Sequence, residues 1–268
     1  MPLTSRSSRA SAPRVRVLPY KAGSASAKLL SEQLSAPRVK TDGTSKFRSR
    51  STDIVVNWGA SQLPDNLGAA TILNRPSAVA LSSNKLTALT TLRDAGVSCL
   101  TFTTDVAQVR QWLQEGHVVF ARTMLSSHSG RGIVQLEGAD AAIPNAPLYT
   151  LYKKKKHEYR AHVLPDGSVV VRQKRRKSDV ENVDWRVRNL AGGFVFTHEI
   201  SFMPPDLQEL AREAVRVLGL DFGALDILYN EQDKRCYVIE CNSAPGLGGS
   251  STQMYADAIR RRIEGRTE

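Results

Sequence analysis

Residues 219–249, GLDFGALDILYNEQDKRCYVIECNSAPGLGG, constrain the fold more than any other stretch of this chain. Two apolar runs, Asp221–Tyr229 and Cys236–Asn242, flank the polar turn Asn230–Lys234, the pattern of an antiparallel hairpin. Side chains alternate along a strand, so Glu240 and Asn242 share one face. Tyr237, Ile239 and Cys241 take the other face, towards a core. A hairpin centred near Gln232 sets Ala224 opposite Glu240 and Asp226 opposite Val238, leaving Asp226 a diagonal neighbour of Glu240, roughly 7 Å away. Two carboxylates and an amide at that spacing can share a hard cation, and oxygen-only donors select Mg²⁺ or Mn²⁺. Carboxylates on strands more often face water, but here the flanks are apolar, and a buried carboxylate pair without a cation is costly. The residues alone leave both readings open.

The elements around this hairpin alternate between strand and helix patterns. In 206–218, Leu207, Leu210, Ala211, Ala214, Val215 and Leu218 recur at helical spacing, between Pro204-Pro205 and Gly219. Upstream, Arg14–Pro19 and Asp53–Trp58 read as strands around a helix at Ser26–Leu34, the opening of an α/β layer. Pro64–Pro76 reads as a loop. Ser82-Ser83-Asn84 caps a helix that carries Leu86, Leu89 and Leu92 and stops at Gly96. A helix over Asp105–Glu115, strands at His117–Arg122, Ile133–Leu136, Leu148–Tyr152, Tyr159–Leu164 and Ser168–Gln173, and a last helix near Thr252–Ile263 complete the pattern.

Two further stretches bear on chemistry. Leu125–Gly132 (LSSHSGRG) joins two strands with small residues that let backbone N–H groups approach phosphate oxygens. It is neither a P-loop nor GxGxxG, and alone it reads equally well as a hairpin tip. The run Lys174-Arg175-Arg176-Lys177, followed by Arg186, Arg188 and Asn189, could converge on a phosphate cleft or be a solvated basic surface.

Charge and cysteine content narrow the class. The net charge of +11 over 268 residues is concentrated in two districts. Residues 1–50 hold eleven Lys and Arg against Glu32 and Asp42, and residues 153–177 hold ten against Glu158 and Asp166. The rest of the chain is mildly acidic. Such districts attract phosphate, nucleic acid or acidic polypeptides. No apolar run reaches the ~18–20 residues of a membrane span. Three cysteines without CxxC spacing exclude a disulfide framework and a cysteine zinc site, and fit a reducing, cytoplasmic setting. Residues 1–13 read as a disordered basic tail.

Taken in order, these features resemble the ATP-grasp family of carboxylate–amine ligases, and within it the ribosomal-protein glutamate ligases and small phage-encoded ATP-grasp proteins. GALDI (223–227) and VIECNSAPGL (238–247) carry the resemblance, which spans residues 80–263. It implies an α/β (α+β) ATP-grasp fold: two α+β subdomains clamping ATP (80–150 and 151–263), preceded by a small α/β pre-ATP-grasp domain (14–79). It implies ATP and Mg²⁺ as cofactors, with two ions held by Asp226, Glu240 and Asn242, and Mn²⁺ as an alternative. It implies phosphate contacts from Lys85, from Arg122 where the family has lysine, and from Lys174. Ser126, Ser129, Gly130 and Gly132 resemble the lid, Thr150 and Leu151 the adenine hinge, and Glu158, followed by Arg160, the ribose-binding acid. Arg175, Arg186, Arg188 and Asn189 resemble the substrate-side catalytic groups, although the Arg-x-Asn spacing from Arg186 is one residue longer than the family's. The Lys153–Lys156 run is expected to face solvent and to serve the acceptor.

The implied reaction joins a carboxylate to an amine through an acyl phosphate, adding an amino acid or peptide to a peptide or macromolecular acceptor such as an acidic protein tail. The alternative is a nucleic-acid-associated protein that uses the same module for docking or for modifying nucleic acid.

Overall fold

The computed structural model describes residues 13–42, 44–126, 132–181 and 183–265. It opens with a parallel layer. β1 (Val15–Pro19) leads through α1 (Ala25–Leu34) to β2 (Ile54–Trp58), and β3 (Thr71–Leu73) pairs on the far side of β2. The Ser24 hydroxyl accepts the Ala27 N–H and so caps α1. Buried Asp53 fixes the start of β2. It accepts from the Arg14 guanidinium at 2.5 and 2.9 Å, and these hydrogen bonds hold its carboxyl well below the usual range. The expected loop at 64–76 instead contains a 3₁₀ turn, Asp65–Leu67, and β3. A three-residue strand is too short to leave a period in the sequence.

α2 (Pro76–Ser83) and α3 (Lys85–Asp94) follow back to back. Asn84 alone caps α3, its Oδ1 accepting the Leu86 and Thr87 N–H groups. Ser82 and Ser83, expected in that cap, form the last turn of α2 and donate to the Val79 and Ala80 carbonyls. β4 (Phe102–Thr103), α4 (Val106–Gln114), β5 (Val119–Arg122), β6 (Ile133–Leu136) and β7 (Leu148–Leu151) build an antiparallel sheet in the order β4-β7-β5-β6. α4 closes a small core of Val109, Leu113, Val119, Ala121 and Tyr149 beneath it.

The largest sheet is antiparallel in the order β10-β9-β8-β11-β12, from β8 (His157–Val163), β9 (Val169–Arg176), β10 (Phe194–Thr197), β11 (Gly223–Asn230) and β12 (Arg235–Asn242). α5 (Leu207–Val217) lays Leu207, Ala211, Ala214 and Val215 on Tyr159, Ala161, Ile227 and Val238. α2 and α3 enter the same core through Val79 and Leu92. α6 (Ser250–Glu264) returns to the first sheet, where Tyr255 meets Trp58 edge-on at 5.2 Å and Phe222 stacks on Trp58 at 5.5 Å. Among the described residues, no helix is long and apolar enough to cross a membrane, and all three cysteines are free.

Candidate active site

The five-stranded sheet has two chemically distinct faces because its strands alternate. One face is the apolar core under α5. The other carries Glu158, Arg160 and His162 from β8, Lys174 from β9, Phe194 and Phe196 from β10, and Asp226 and Leu228 from β11. With the four-stranded sheet above it, this polar floor bounds a cleft of about 540 Å³. Arg122, Leu151, Tyr152, Lys155, Arg186, Arg188 and Asn189 line it as well.

The hairpin register differs from the expected one, and the difference brings the carboxylates closer. Asp226 lies directly opposite Glu240, and Ala224 opposite Asn242, because the turn is centred between Gln232 and Asp233 and a β-bulge shifts the pairing once more between Asp226 and Ile227. The extra residue is Ile239. Cys236, Val238 and Cys241 therefore enter the core, whereas Tyr237 and Ile239, expected there, do not. Ile239 lines the cleft, and the Tyr237 hydroxyl donates to Asp233. Burial pushes the Cys241 thiol up to about 12, so it takes no part as a thiolate.

The floor charges that line the cleft, Glu158, Arg160, Lys174, Asp226 and Glu240, are paired. Arg160 Nε and Nη2 donate to the two Asp226 oxygens at 2.7 and 3.0 Å. Burial works against the Asp226 carboxylate, but Arg160, helped by Lys174 and His162, holds its carboxyl below the ordinary range. Phe196 covers the cations, its ring centroid 4.3 Å from Arg160 Cζ and 4.8 Å from Lys174 Nζ. Glu158 is buried between Lys174, which donates to Oε1, and Lys155, whose ammonium stands 2.9 Å from Oε2. Glu240 has Lys85 at 3.5 Å, and the Asn242 amide donates to its Oε1 at 3.3 Å. Arg122 projects from the other sheet; burial pulls its guanidinium below the usual range, partly offset by Glu240.

Two carboxylates and one amide are a thin donor set. No group of three or more His, Cys, Asp or Glu side chains able to hold a metal occurs among the described residues. An all-oxygen set of this size fits a hard cation that keeps waters and takes its remaining ligands from substrate phosphates, which is how Mg²⁺ is usually held. Lys85, Arg122 and Lys174 place positive charge around it.

The structure gathers Lys85, Arg122, Glu158, Lys174, Arg188, Asp226, Glu240 and Asn242 around the cleft and the small chamber that adjoins it at Glu240. Leu151, Arg186 and Asn189 line the cleft too but make contacts of their own, and the remaining expected site residues lie elsewhere. Arg175 alternates away from Lys174 on β9 and lies on the opposite face of the sheet, its Cα paired with that of Val195. Arg186 reaches across the cleft mouth to Glu137, donating at 2.6 and 3.1 Å, with Tyr152 beneath its guanidinium. Asn189 Oδ1 accepts the Gly192 N–H at 2.6 Å and so closes its own loop. Thr150 is buried beside Arg122, and the Leu151 and Tyr152 N–H groups donate to the Thr101 and Val118 carbonyls, so neither N–H is open to the cleft. Ser126 lines the small chamber, and Gly132, at φ +72°, closes the base of its loop by accepting the Thr123 N–H. Ser129 and Gly130 lie outside the described residues, as does most of the basic tail. The Lys153–Lys156 run does not simply face solvent. Lys154 and Lys156 do, but Lys155 turns inward and Lys153 pairs with Asp233, because an extended segment alternates.

Lys155, Phe196 and Glu137 were not singled out from the sequence. The FVFT run at 194–197 was the available signal for Phe196, and period-two reading of four lysines the signal for Lys155.

Comparison with known proteins agrees with this fold. Residues 134–264 match the family described as RimK-like ATP-grasp domain. No curated protein matches the sequence. Among solved structures, the ATP-grasp ligase PsnB, complexed with minimal precursor, Mg and ADP, aligns over 93% of this chain and 97% of its own at 18% identity, TM-score 0.64. D-alanyl-alanine synthetase A from Vibrio cholerae aligns over 96% and 99% at 14% identity, TM-score 0.65. Macrocyclase MdnC from Microcystis aeruginosa, bound with precursor peptide MdnA, aligns over 92% and 99% at 14% identity, TM-score 0.59. Likeness at these identities is likeness of fold.

Proposed function

Starting from a chain with the ATP-grasp fold and a RimK-like ATP-grasp domain over residues 134–264, we propose that this protein is an ATP- and Mg²⁺-dependent ligase joining a carboxylate to an amine on a peptide. The observation that carries this reading is the facing pair Asp226–Glu240, with Asn242 beside it, at one end of a cleft rich in cations. Asp226, Glu240 and Asn242 would hold Mg²⁺, which when bound neutralises and aligns the ATP phosphates.

The chain's own residues do the rest. Leu151, Leu228 and Ile239 give the nucleotide base an apolar seat, and the backbone at Tyr152–Lys153 gives it an edge. Glu158 accepts from the ribose hydroxyls in place of one of its lysines. Lys85, Arg122 and Lys174 stabilise charge on the transferring phosphoryl group. A substrate carboxylate oxygen attacks the γ-phosphorus, the bond to the bridging oxygen breaks, and ADP leaves. An amine then attacks the acyl carbon, phosphate departs with the carbon–oxygen pair, and the amine's proton goes to solvent. Peptide substrates fit best because the neighbouring structures PsnB and MdnC were solved with precursor peptides. No comparison favours nucleic acid.

The test is phosphate release from ATP and Mg²⁺ across a panel of amino acids and glutamate-containing peptides, with mass analysis of the products. The reading expects a coupled product whose mass is the sum of two substrates less one water. ADP and phosphate without any such product across the panel would overturn it.

A further inference from the structure

The linker that joins the two walls of the cleft is anchored at every residue. Residues 152–156 run from β7 to β8, and the β11–β12 turn, Asn230–Lys234, is bonded to them. Asn230 Nδ2 donates to the Lys154 carbonyl at 2.7 Å, and the Lys156 N–H donates to the Tyr229 carbonyl at 3.0 Å. Arg188 Nη2 donates to the Lys155 carbonyl at 3.1 Å, and the Tyr152 N–H to the Val118 carbonyl at 2.8 Å. Lys153 differs. Among the described residues its backbone makes no hydrogen bond, and its side chain alone holds it.

Three groups converge on that side chain. The Lys153 ammonium donates to Asp233 Oδ2 at 2.5 Å, and the Tyr237 hydroxyl donates to the same oxygen at 2.6 Å. The ammonium also stands 4.3 Å from the Tyr237 ring centroid. Asn230 Oδ1 accepts the Asp233 N–H at 2.7 Å and so sets the carboxylate on its turn. An isolated exposed ion pair contributes little, because it must order two long side chains. Here the carboxylate sits on a bonded turn, the hydroxyl on a strand, and the Lys153 side chain is only 25% exposed. Two of the three groups are in place before the third arrives.

The clamped residue carries the free N–H. Leu151 and Tyr152 give theirs to Thr101 and Val118. Successive N–H groups of an extended segment point to opposite sides, so that of Lys153 turns as that of Leu151 does, towards residues 100–101. Leu100, Lys153, Leu228 and Ile239 all line the cleft. A donor fixed there meets the edge of a base seated on those apolar side chains. Adenine presents N1 as an acceptor. Hypoxanthine and guanine present N1–H, a donor against a donor.

We infer that Asp233 and Tyr237 are positioning residues for the nucleotide base: by clamping Lys153 to the β11–β12 turn, they fix its N–H as the donor that selects adenine over hypoxanthine and guanine. Base selection rests on the ligase reading, which supplies the nucleotide; the clamp does not.

Titration calorimetry of the full chain with ADP and with IDP, each with Mg²⁺, measures the selection, since the two nucleotides differ in the base alone. The unaltered chain should bind ADP about tenfold or more tighter than IDP, the scale of leaving one buried donor unpaired. Asp233→Asn and Lys153→Met should each cut that preference about threefold or more, and the double variant no further, because the two residues act as one unit. Tyr237→Phe, which keeps the ring beside the ammonium, should cut it less. Glu231→Gln removes the same charge from the same turn but releases only the exposed Lys156, and should leave the ratio unchanged. A merely structural effect weakens both nucleotides alike and does not move the ratio. Equal affinity of the unaltered chain for ADP and IDP, an unchanged ratio in Asp233→Asn, or an equal fall in Glu231→Gln would overturn the inference and leave the ligase reading standing. Failure of the unaltered chain to bind either nucleotide would defeat the ligase reading, and base selection with it.

Discussion

The two walls of the cleft are built on different physical terms. The floor is a five-stranded sheet whose cleft-lining charges are matched: Asp226 by Arg160, Glu158 by Lys155 and Lys174, Glu240 by Lys85. Those pairs are partly or wholly buried, so they are little screened and fixed before any ligand arrives. The roof is a small four-stranded sheet that offers a half-buried cation, Arg122, and crosses to the floor at the mouth by the exposed Arg186–Glu137 pair. The floor is preorganised, and the roof is free to adjust at little cost. That division suits a site that must hold charge rigidly yet admit and release a nucleotide.

Four changes test the contrast, in decreasing order of effect. Glu240→Gln removes a carboxylate of the proposed metal site while keeping shape. ATP-dependent phosphate release should fall about 10²–10³-fold, the scale for losing one major electrostatic contact to the transition state, with an unchanged circular dichroism spectrum. Activity within a few-fold of the parent would remove Glu240 from the chemistry.

Arg160→Met strands the buried Asp226 carboxylate. Unfolding in urea should show a loss of about 3 kcal/mol or more, and a loss below about 1 kcal/mol would mean the floor is not held by this pair.

His162 sharpens the same point through pH. Burial, with Arg160 and Arg172 nearby, lowers it from 6.5 to about 4, and it lies 3.2 Å from the Tyr255 hydroxyl. Between those values the unfolded chain binds the proton and the folded chain does not. Stability is therefore full above pH 6.5 and declines as pH falls towards 4, by up to about 3 kcal/mol. His162→Gln should flatten the acid limb of the stability curve over that window; an unaltered slope would contradict the assignment.

The smallest effect belongs to the roof. Glu137→Gln should change stability by less than about 1 kcal/mol, as exposed pairs do. It should raise the KM for ATP a few-fold with kcat little affected. A loss in kcat as large as that of Glu240→Gln would erase the distinction between floor and roof.

This contrast also explains what the sequence could and could not reveal. The helix at 206–218 and the strands flanking residue 232 were legible because their apolar residues hold a period over many positions. The carboxylates were legible as residues but not in their pairing. A turn centred between Gln232 and Asp233 and a bulge at Ile239 together turn a diagonal relation into a direct one, and a bulge has no hydrophobic signature. Basic residues were the least legible. Lys174 and Arg175 are adjacent in sequence and lie on opposite faces of β9, and Lys155 turns in where Lys154 and Lys156 turn out. A charge carries no period of its own; its side is set by the strand beneath it. Arg186 and Asn189 sit in an irregular segment, where sequence gives neither register nor face; Arg186 is engaged by Glu137 across the cleft mouth and Asn189 within its own loop. α2 escaped notice because it is apolar on more than one side and runs into α3 at Asn84.

The central claim is that Asp226, Glu240 and Asn242 hold the cation that joins ATP to this cleft. Calorimetric titration of the full chain with ADP, with and without Mg²⁺, tests it directly. The account predicts that Mg²⁺ tightens ADP binding in the unaltered protein and that Glu240→Gln abolishes this enhancement while metal-free ADP binding persists. An equal Mg²⁺ enhancement in both proteins would contradict it.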